Sequence, residues 1–339
     1  MSSSTKLVGG EVRPYLPNHA FLPSTGVKLK MMFFEGSEKK VEAVLKPGHN
    51  SLRALGKPFW ETMVAQANAT ILSSVHNEHC DAYLLSESSL FVWDDRFLML
   101  TCGTTTLVQA VTEFLKHFSQ NELAMLTYQR KNEYQSHLQK SSFDEDLAAL
   151  QSLLPGCAWR LGHLDGHHNY IFHSDAPYQP DADDATAELL MYHIQGAAAD
   201  YLRSTNQTVE GVRELFDWQG MLPDFQFDDF LFEPFGYSMN GIRGEHYVTV
   251  HVTPQEDSSY VSFESNLDQA ELIPVLNQLL RRLNPQSYDI ISFNLDAELD
   301  HDARAQRVDQ ARQDLPIGYR MQFAHYLVPP AQPLGAIQL

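Results

Sequence analysis

Basic residues are scarce in this chain, cysteines scarcer, and long apolar runs are missing. Lysine and arginine number 24 against 43 aspartates and glutamates, a formal net charge of −19 over 339 residues. That balance disfavours nucleic acid and anionic membranes as partners and would attract cationic ligands, although acidity by itself also serves solubility. Three cysteines, Cys80, Cys102 and Cys157, show no C-x-x-C spacing, which points to a reduced, cytoplasmic setting rather than secretion. No apolar run approaches the ~20 residues of a membrane span. Residues 1–30 are rich in Ser, Pro and Gly and lack an apolar h-region, so they are expected to be a loosely ordered tail and not a secretory signal. Arg13 is the only arginine there, which argues against an organelle transit peptide.

What is present suffices for a large core: 43% of residues are hydrophobic. Weak alternation over Met31–Val44 predicts a strand pair carrying Phe34, Glu35 and Glu38. A helix is expected to start at Pro58, with Phe59, Trp60, Met63 and Val64 as its apolar side. Short strands follow at Ala69–Val75, Ala82–Ser86, Leu90–Trp93 and Phe97–Cys102, then a helix over Thr104–Phe118. The second half repeats the pattern, with strands at Ala158–Leu164 and Asn169–His173 and a helix over Thr186–Leu202. A meander through Tyr247–Thr253 and Tyr260–Phe263 leads into a long helix, Leu267–Leu283. Two α+β halves, about 31–160 and 161–339, are predicted to join around residues 150–180, where Pro177, Pro180 and an acidic run cluster.

The stretch with most chemical content is Tyr83-Leu84-Leu85-Ser86-Glu87-Ser88-Ser89-Leu90-Phe91-Val92. Two apolar strand-like runs flank a small polar knot, where a tight hairpin would ordinarily carry Asn-Gly or Asp-Gly. The Ser88 hydroxyl lies one residue downstream of the Glu87 carbonyl. If the backbone is strained, that hydroxyl can attack the carbonyl and turn the amide into an ester. Loss of the Ser88 α-proton then leaves Glu87 as a new C-terminus and Ser88 as a pyruvoyl group. Such a group forms a Schiff base with an amine and withdraws electrons. An ordinary polar turn fits the same residues.

Four motifs, in order along the chain, carry a resemblance. They are Phe33-Phe34-Glu35-Gly36-Ser37-Glu38-Lys39, the stretch around Ser88 with Leu100-Thr101-Cys102-Gly103-Thr104-Thr105, Phe235-Gly236-Tyr237-Ser238-Met239-Asn240-Gly241, and His251-Val252-Thr253-Pro254 with Ser259-Tyr260-Val261-Ser262-Phe263-Glu264. Together they resemble the eukaryotic-type S-adenosylmethionine decarboxylase family, whose members are pyruvoyl-dependent and feed spermidine and spermine synthesis. The resemblance implies an αββα sandwich of two antiparallel sheets with outer helices, built by internal duplication. It also implies autocatalytic cleavage of a zymogen between Glu87 and Ser88, giving chains 1–87 and 88–339 that stay associated, as a monomer or a homodimer.

By the same resemblance His251 is the base for ester breakdown and Ser238 the hydroxyl that polarises the intermediate. Cys102 is the proton donor of decarboxylation, Glu35 lies near the reactive centre, and Glu38 belongs to the processing and binding network. Phe34 and Phe232 match the adenine-stacking pair, where aromatic faces suit a flat base beside a sulfonium cation, and Leu85 is a further substrate contact. Strand alternation independently places Thr249 and His251 on one face. Read without the family, His251 is a strand histidine, Cys102 a structural thiol and the phenylalanines core residues.

Two positions depart from the pattern. Gln255 stands where relatives carry the glutamate that holds the ribose hydroxyls, and an amide is the weaker acceptor; either affinity falls or Glu256 takes the role. An acidic cluster that binds an activating diamine in animal enzymes matches Glu42, Asp184, Glu188 and Glu264, but Leu100 replaces its lysine. The cluster must then find another cation or take up protons, which argues against stimulation by putrescine. Two histidine groups, His76-Asn77-Glu78-His79-Cys80 and His163, His167, His168 and His173, have no zinc-site spacing. The expected chemistry needs neither metal nor pyridoxal phosphate. Two alternatives stay open: a pyruvoyl decarboxylase of a free amino acid such as ornithine or arginine, and a non-catalytic regulatory homologue, which would be free to lose Ser88 or Cys102.

Overall fold

Among the residues that the computed structural model describes, 38–131, 136–175, 178–255, 259–297, 299, 304–330 and 335–336, sixteen strands form two antiparallel sheets. The first sheet holds β1 (Lys39–Leu45), β2 (Ile71–His76), β3 (Asp81–Leu85), β4 (Ser88–Val92), β5 (Arg96–Thr101), β6 (Leu123–Lys131), β7 (Gly156–Gly162) and β8 (His168–Ser174). The second holds β9 (Thr186–Tyr192), β10 (Gln226–Leu231), β11 (Tyr237–Arg243), β12 (His246–Thr253), β13 (Tyr260–Ser265), β14 (Ser287–Phe293), β15 (Gln306–Asp314) and β16 (Arg320–Leu327). Their orders are β2-β3-β4-β5-β1-β6-β8-β7 and β10-β11-β12-β13-β9-β14-β16-β15. Adding eight to each strand of the first order reproduces the second, so the chain is an internal duplication.

Helices cover the outer faces: α1 (Gly56–Gln66), α2 (Leu107–His117) and α3 (Phe143–Leu153) on the first sheet, α4 (Gly196–Leu202), α5 (Val209–Phe216), α6 (Trp218–Met221) and α7 (Gln269–Leu283) on the second. Helix α2 buries Leu107, Val108, Ala110, Val111 and Phe114, the spacing of one helical face. Between the sheets, Val44, Met125 and Ile171 meet Leu190, Ile291 and Phe323, while Phe91 and Trp93 meet Ile242 and Tyr247. The layers are therefore helix, sheet, sheet, helix. Central strands such as β4, β13 and β14 are buried on both faces, so they read as runs without a clean alternation.

Two expectations are corrected, and a third falls partly outside the described residues. Thr186–Tyr192 is strand β9, and only Gly196–Leu202 of the predicted helix is helical. Its Ala, Glu, Leu and Met favour helix, but pairing with β13 on one side and β14 on the other overrides that preference. Gly196, at φ 79, separates the strand from the helix. The halves meet at residues 175–185 and not near 160, because β8 pairs with both β6 and β7 and holds them in the first sheet. Of the strand pair expected over Met31–Val44, the described part is the single strand β1; residues 31–37, with Phe34 and Glu35, lie outside the described residues.

Candidate active site

The β3–β4 hairpin turns through Ser86 and Glu87, with Leu85 paired to Ser88. Two-residue hairpins favour positive φ at their central residues. Neither Ser86 nor Glu87 adopts it; Ser88 does, at φ 140. A residue with a Cβ is held there at a cost of about 1–3 kcal/mol. The Ser88 side chain is buried and its Oγ has no hydrogen-bond partner. The preceding carbonyl, by contrast, is well supplied. Glu87 O accepts from the Cys102 backbone N–H at 2.9 Å and from its Sγ at 3.3 Å. These two donors, fixed by the end of β5, point at the oxygen on which negative charge would develop if the carbonyl were attacked.

Gly103, at φ 62, lets the chain turn beside the hairpin, and a Cβ there would stand 3.4 Å from the Glu87 carboxylate. Burial raises the Glu87 carboxyl above its ordinary range. Burial also pushes the Cys102 thiol up to about 12, reinforced by the charges of Glu87 and Glu38. Cys102 therefore stays protonated at neutral pH, as a proton donor must.

The other sheet supplies a histidine. His251 on β12 lies directly opposite Ser238 on β11, and Ser238 Oγ is 2.7 Å from its Nδ1. Thr249, on the same strand face as expected, places Oγ1 2.9 Å from Nε2. Ser89 Oγ reaches across from β4 to 3.1 Å from Nε2, donates to Asn240 Oδ1 at 2.6 Å and lies 3.0 Å from Thr249 Oγ1. Desolvation alone drives the His251 pKa down to about 3, so its imidazole is neutral and keeps a lone pair for proton abstraction. Ser89, not Ser88, is the side chain that hydrogen-bonds His251. It tethers β4 to the histidine one residue away from the unpartnered serine. The sequence marked Ser89 only as a neighbour; its inward alternation opposite Ser88 was the available signal.

The four acidic residues assigned to a diamine site divide into two groups, each with its own cation. Lys40 Nζ lies 2.8 Å from Glu188 and 3.0 Å from Glu264, and Lys131 also binds Glu188. Arg96 sits 3.4 Å from Glu42 and 3.5 Å from Asp184, whose carboxylate also accepts from Tyr178 and Tyr319. Burial opposes ionisation of Glu188, but Lys131 and Lys40 outweigh it and hold its carboxyl down at about 2. Glu264 goes the other way: burial lifts it to about 8 against the pull of Lys40. The space bounded by Lys40, Glu42, Asp184 and Tyr319 is only about 10 Å³, smaller than a diamine needs. Leu100, at the lost lysine's position, is buried. Lys40, two residues from Glu42 on the same strand face, was the missed signal.

Glu38 is buried in the same polar layer. Tyr260 donates to it at 3.1 Å, and burial raises its carboxyl with Lys131 opposing. Lys39 Nζ binds the Gly103 carbonyl at 3.1 Å and Gln139 at 2.9 Å, tying β1 to the turn after Cys102. Leu85 is fully buried; Phe232 is half-buried, its ring 4.9 Å from Phe230 and its N–H on Gly236 O at 2.9 Å. Gln255 is half-buried just after β12, and Glu256 lies outside the described residues.

Over most of its length the chain is similar to known proteins. Residues 31–326 match the family model described as adenosylmethionine decarboxylase. The chain belongs to that family. It is 31% identical over 332 residues to the S-adenosylmethionine decarboxylase proenzyme of Drosophila melanogaster, covering 87% of this chain and 95% of the relative. The proenzymes of Trypanosoma cruzi and Leishmania donovani are 30% and 33% identical, over 90% and 78% of this chain and 83% and 74% of theirs. The crystal structure of Trypanosoma brucei AdoMetDC-delta26 monomer shares the fold with a TM-score of 0.55 at 23% identity, over 71% of this chain and 99% of that one. Ser89, next to Ser88 on β4, ties the first sheet to the Ser238–His251 pair of the second.

Proposed function

We propose that this chain cuts itself between Glu87 and Ser88 and, with the pyruvoyl group so formed, decarboxylates S-adenosylmethionine for polyamine synthesis. The observation that carries the reading is Ser88, held at φ 140 with its buried Oγ unpartnered, directly behind a carbonyl that accepts from both the N–H and the Sγ of Cys102. Backbone strain at Ser88, next to the bond to be broken, is relieved when that bond is broken.

Ser88 Oγ adds to the Glu87 carbonyl carbon while the two Cys102 donors stabilise the oxyanion. The amide nitrogen then leaves as the Ser88 amine, and an ester joins Glu87 to Ser88 Oγ. Neutral His251 takes the Ser88 α-proton; the electron pair expels the Glu87 carboxylate and leaves a dehydroalanine. Water adds to its imine tautomer, and ammonia departs to leave the keto group. These residues therefore fit a pyruvoyl group at position 88. When present, that group supplies an electron-withdrawing carbonyl for an amine substrate. Around it, Phe34 and Phe232 stack the adenine, Leu85 bounds the pocket, Gln255 faces the ribose, Glu35 and Glu38 attract the cationic substrate, and Cys102 delivers the proton.

The same reading assigns the acidic layer. Lys40, Lys131 and Arg96 supply the positive charge that a bound diamine would otherwise bring, so activity is independent of putrescine. Retention of Ser88, Cys102, Ser238 and His251 favours a working enzyme over a regulatory homologue. Intact mass spectrometry of the expressed protein tests the proposal. Two chains should appear, the smaller near 10 kDa at ~110 Da per residue, with the larger beginning in a ketone rather than an amine. A single 38.5 kDa species, unaltered by incubation, overturns it.

A further inference from the structure

A second group of buried titratable side chains lies apart from the hairpin and takes no part in the chemistry above. Asp289 on β14 faces His325 on β16 across their ladder. His167, in the turn between β7 and β8 of the other sheet, closes over both. His325 Nδ1 is 2.6 Å from Asp289 Oδ1, and His167 Nδ1 is 2.9 and 3.1 Å from Oδ2 and Oδ1. The two imidazoles stack with centroids 3.9 Å apart, and one ligand atom from each of the three residues lies within 4.8 Å of the others. Asp289 is 1% exposed. Among the described residues its ion-pair partners are these two histidines, with no lysine or arginine. Tyr192 donates to Oδ2 at 2.9 Å, the outer hydrogen bond that orients a ligating carboxylate.

Two further features bear on a ligand. His167 lines a cavity of about 760 Å³, so the cluster has a path to solvent and room for water on its open side. The turn that carries His167 is also held in shape before any ligand arrives. His168 Nδ1 lies 3.1 Å from His163 O and 2.9 Å from Gly166 O, and the His163 N–H donates to Asp309 at 3.1 Å. A Cβ at Gly162, φ 94, would stand 2.4 Å from His167 O, so only glycine lets the turn close.

Two imidazole nitrogens and one carboxylate, with an open side, are the ligand set of a divalent transition-metal site rather than of magnesium or calcium. Zinc bonds of about 2.1 Å at the tetrahedral angle separate neighbouring ligand atoms by about 3.4 Å, so the three side chains, now hydrogen-bonded at 2.6, 2.9 and 3.1 Å, would draw apart slightly around the ion. We propose that His167, Asp289 and His325 bind a divalent transition-metal ion, zinc in the first instance, which clips the β7–β8 turn of one sheet to β14 and β16 of the other. The ion brings positive charge to a carboxylate buried without a lysine or arginine. Because ligation displaces the Nδ1 protons, affinity falls in acid. The three residues are 122 and 36 positions apart in the chain, so no spacing motif announces them.

The test uses the full chain stripped with a chelator and titrated with Zn²⁺ by calorimetry. One equivalent should bind per chain, and Co²⁺ in its place should give visible absorption from the coordinated ion. His167→Gln, in a partly exposed turn, and Asp289→Asn should each weaken binding roughly tenfold or more. Zinc at a hundred times its Kd should raise the Tm of the wild type by roughly 5 °C and leave that of His167→Gln unmoved. No saturable binding, or equal binding by both variants, overturns the proposal; in the second case the ion sits elsewhere, as at His76 and His79. The uncut Ser88→Ala protein should bind zinc as the wild type does, so this test and that of self-cleavage fail independently.

Discussion

Replacing Lys40 with alanine removes the ammonium that sits 2.8 Å from Glu188 and 3.0 Å from Glu264. Glu188 keeps Lys131, whereas Glu264 keeps only a neutral donor, Tyr247. Removing one partner of a buried ion pair costs about 3–5 kcal/mol, because the remaining charge is left uncompensated. At roughly 2 °C per kcal/mol for a large domain, the Tm should fall by roughly 6–10 °C at pH 10, where Glu264 is ionised beside Lys40. The loss depends on pH in a definite direction. The Glu264 carboxyl titrates at about 8 in the folded protein against 4.5 ordinarily, and loss of Lys40 pushes it higher still. An acid raised on folding favours the folded state fully below its unfolded pKa, and that contribution disappears as pH rises through the folded value. The defect of Lys40→Ala should therefore shrink between pH 10 and pH 7, where Glu264 carries a proton with or without the lysine. Adding Glu264→Gln should recover most of the loss at pH 10, and millimolar putrescine, fitting the space vacated by the lysine stem, should restore part of it and confer a diamine dependence on activity. Thermal melts of the four proteins at both pH values provide the measurement. A shift below about 2 °C, or no recovery in the double variant, would refute the built-in cation.

Two further outcomes are expected. His251→Ala should stop after the ester forms, leaving an uncut chain near 38.5 kDa that hydroxylamine splits at Glu87; normal cleavage would exclude His251 as the base. Gln255→Glu should lower the KM for S-adenosylmethionine about fivefold with kcat unchanged, because a charged acceptor adds about 1 kcal/mol to a hydroxyl hydrogen bond. An unchanged KM would mean that residue 255 does not face the ribose.

Periodicity revealed the elements that obey it. Helix α2 and strand β12 lie within a few residues of their predicted limits, since α2 buries one face in a regular way and β12 is a short run rich in β-branched residues. Strand β9 did not, because Ala187, Glu188, Leu189, Leu190 and Met191 prefer helix and only the neighbouring strands β13 and β14 make extension the better choice. Strands β14, β15 and β16 went unassigned: β14 is buried throughout and shows no alternation, while β15 is almost wholly exposed and polar. The candidate site divides along similar lines. The pairing of Thr249 with His251 followed from alternation, whereas Ser89 on His251 and Lys40 between Glu188 and Glu264 required knowing which strand faces which across the sandwich.

The bond to be cut joins two adjacent residues, so Glu87 and Ser88 and the chemistry open to them are written in the order of the chain. Family membership likewise followed from short motifs that each span a few positions. The displacement of strain onto Ser88, the neutrality of His251 and the ammonium groups within the acidic layer were not written there. Each depends on desolvation and on contacts between strands 50 to 160 residues apart, and those energies exist only once the two sheets have closed on each other.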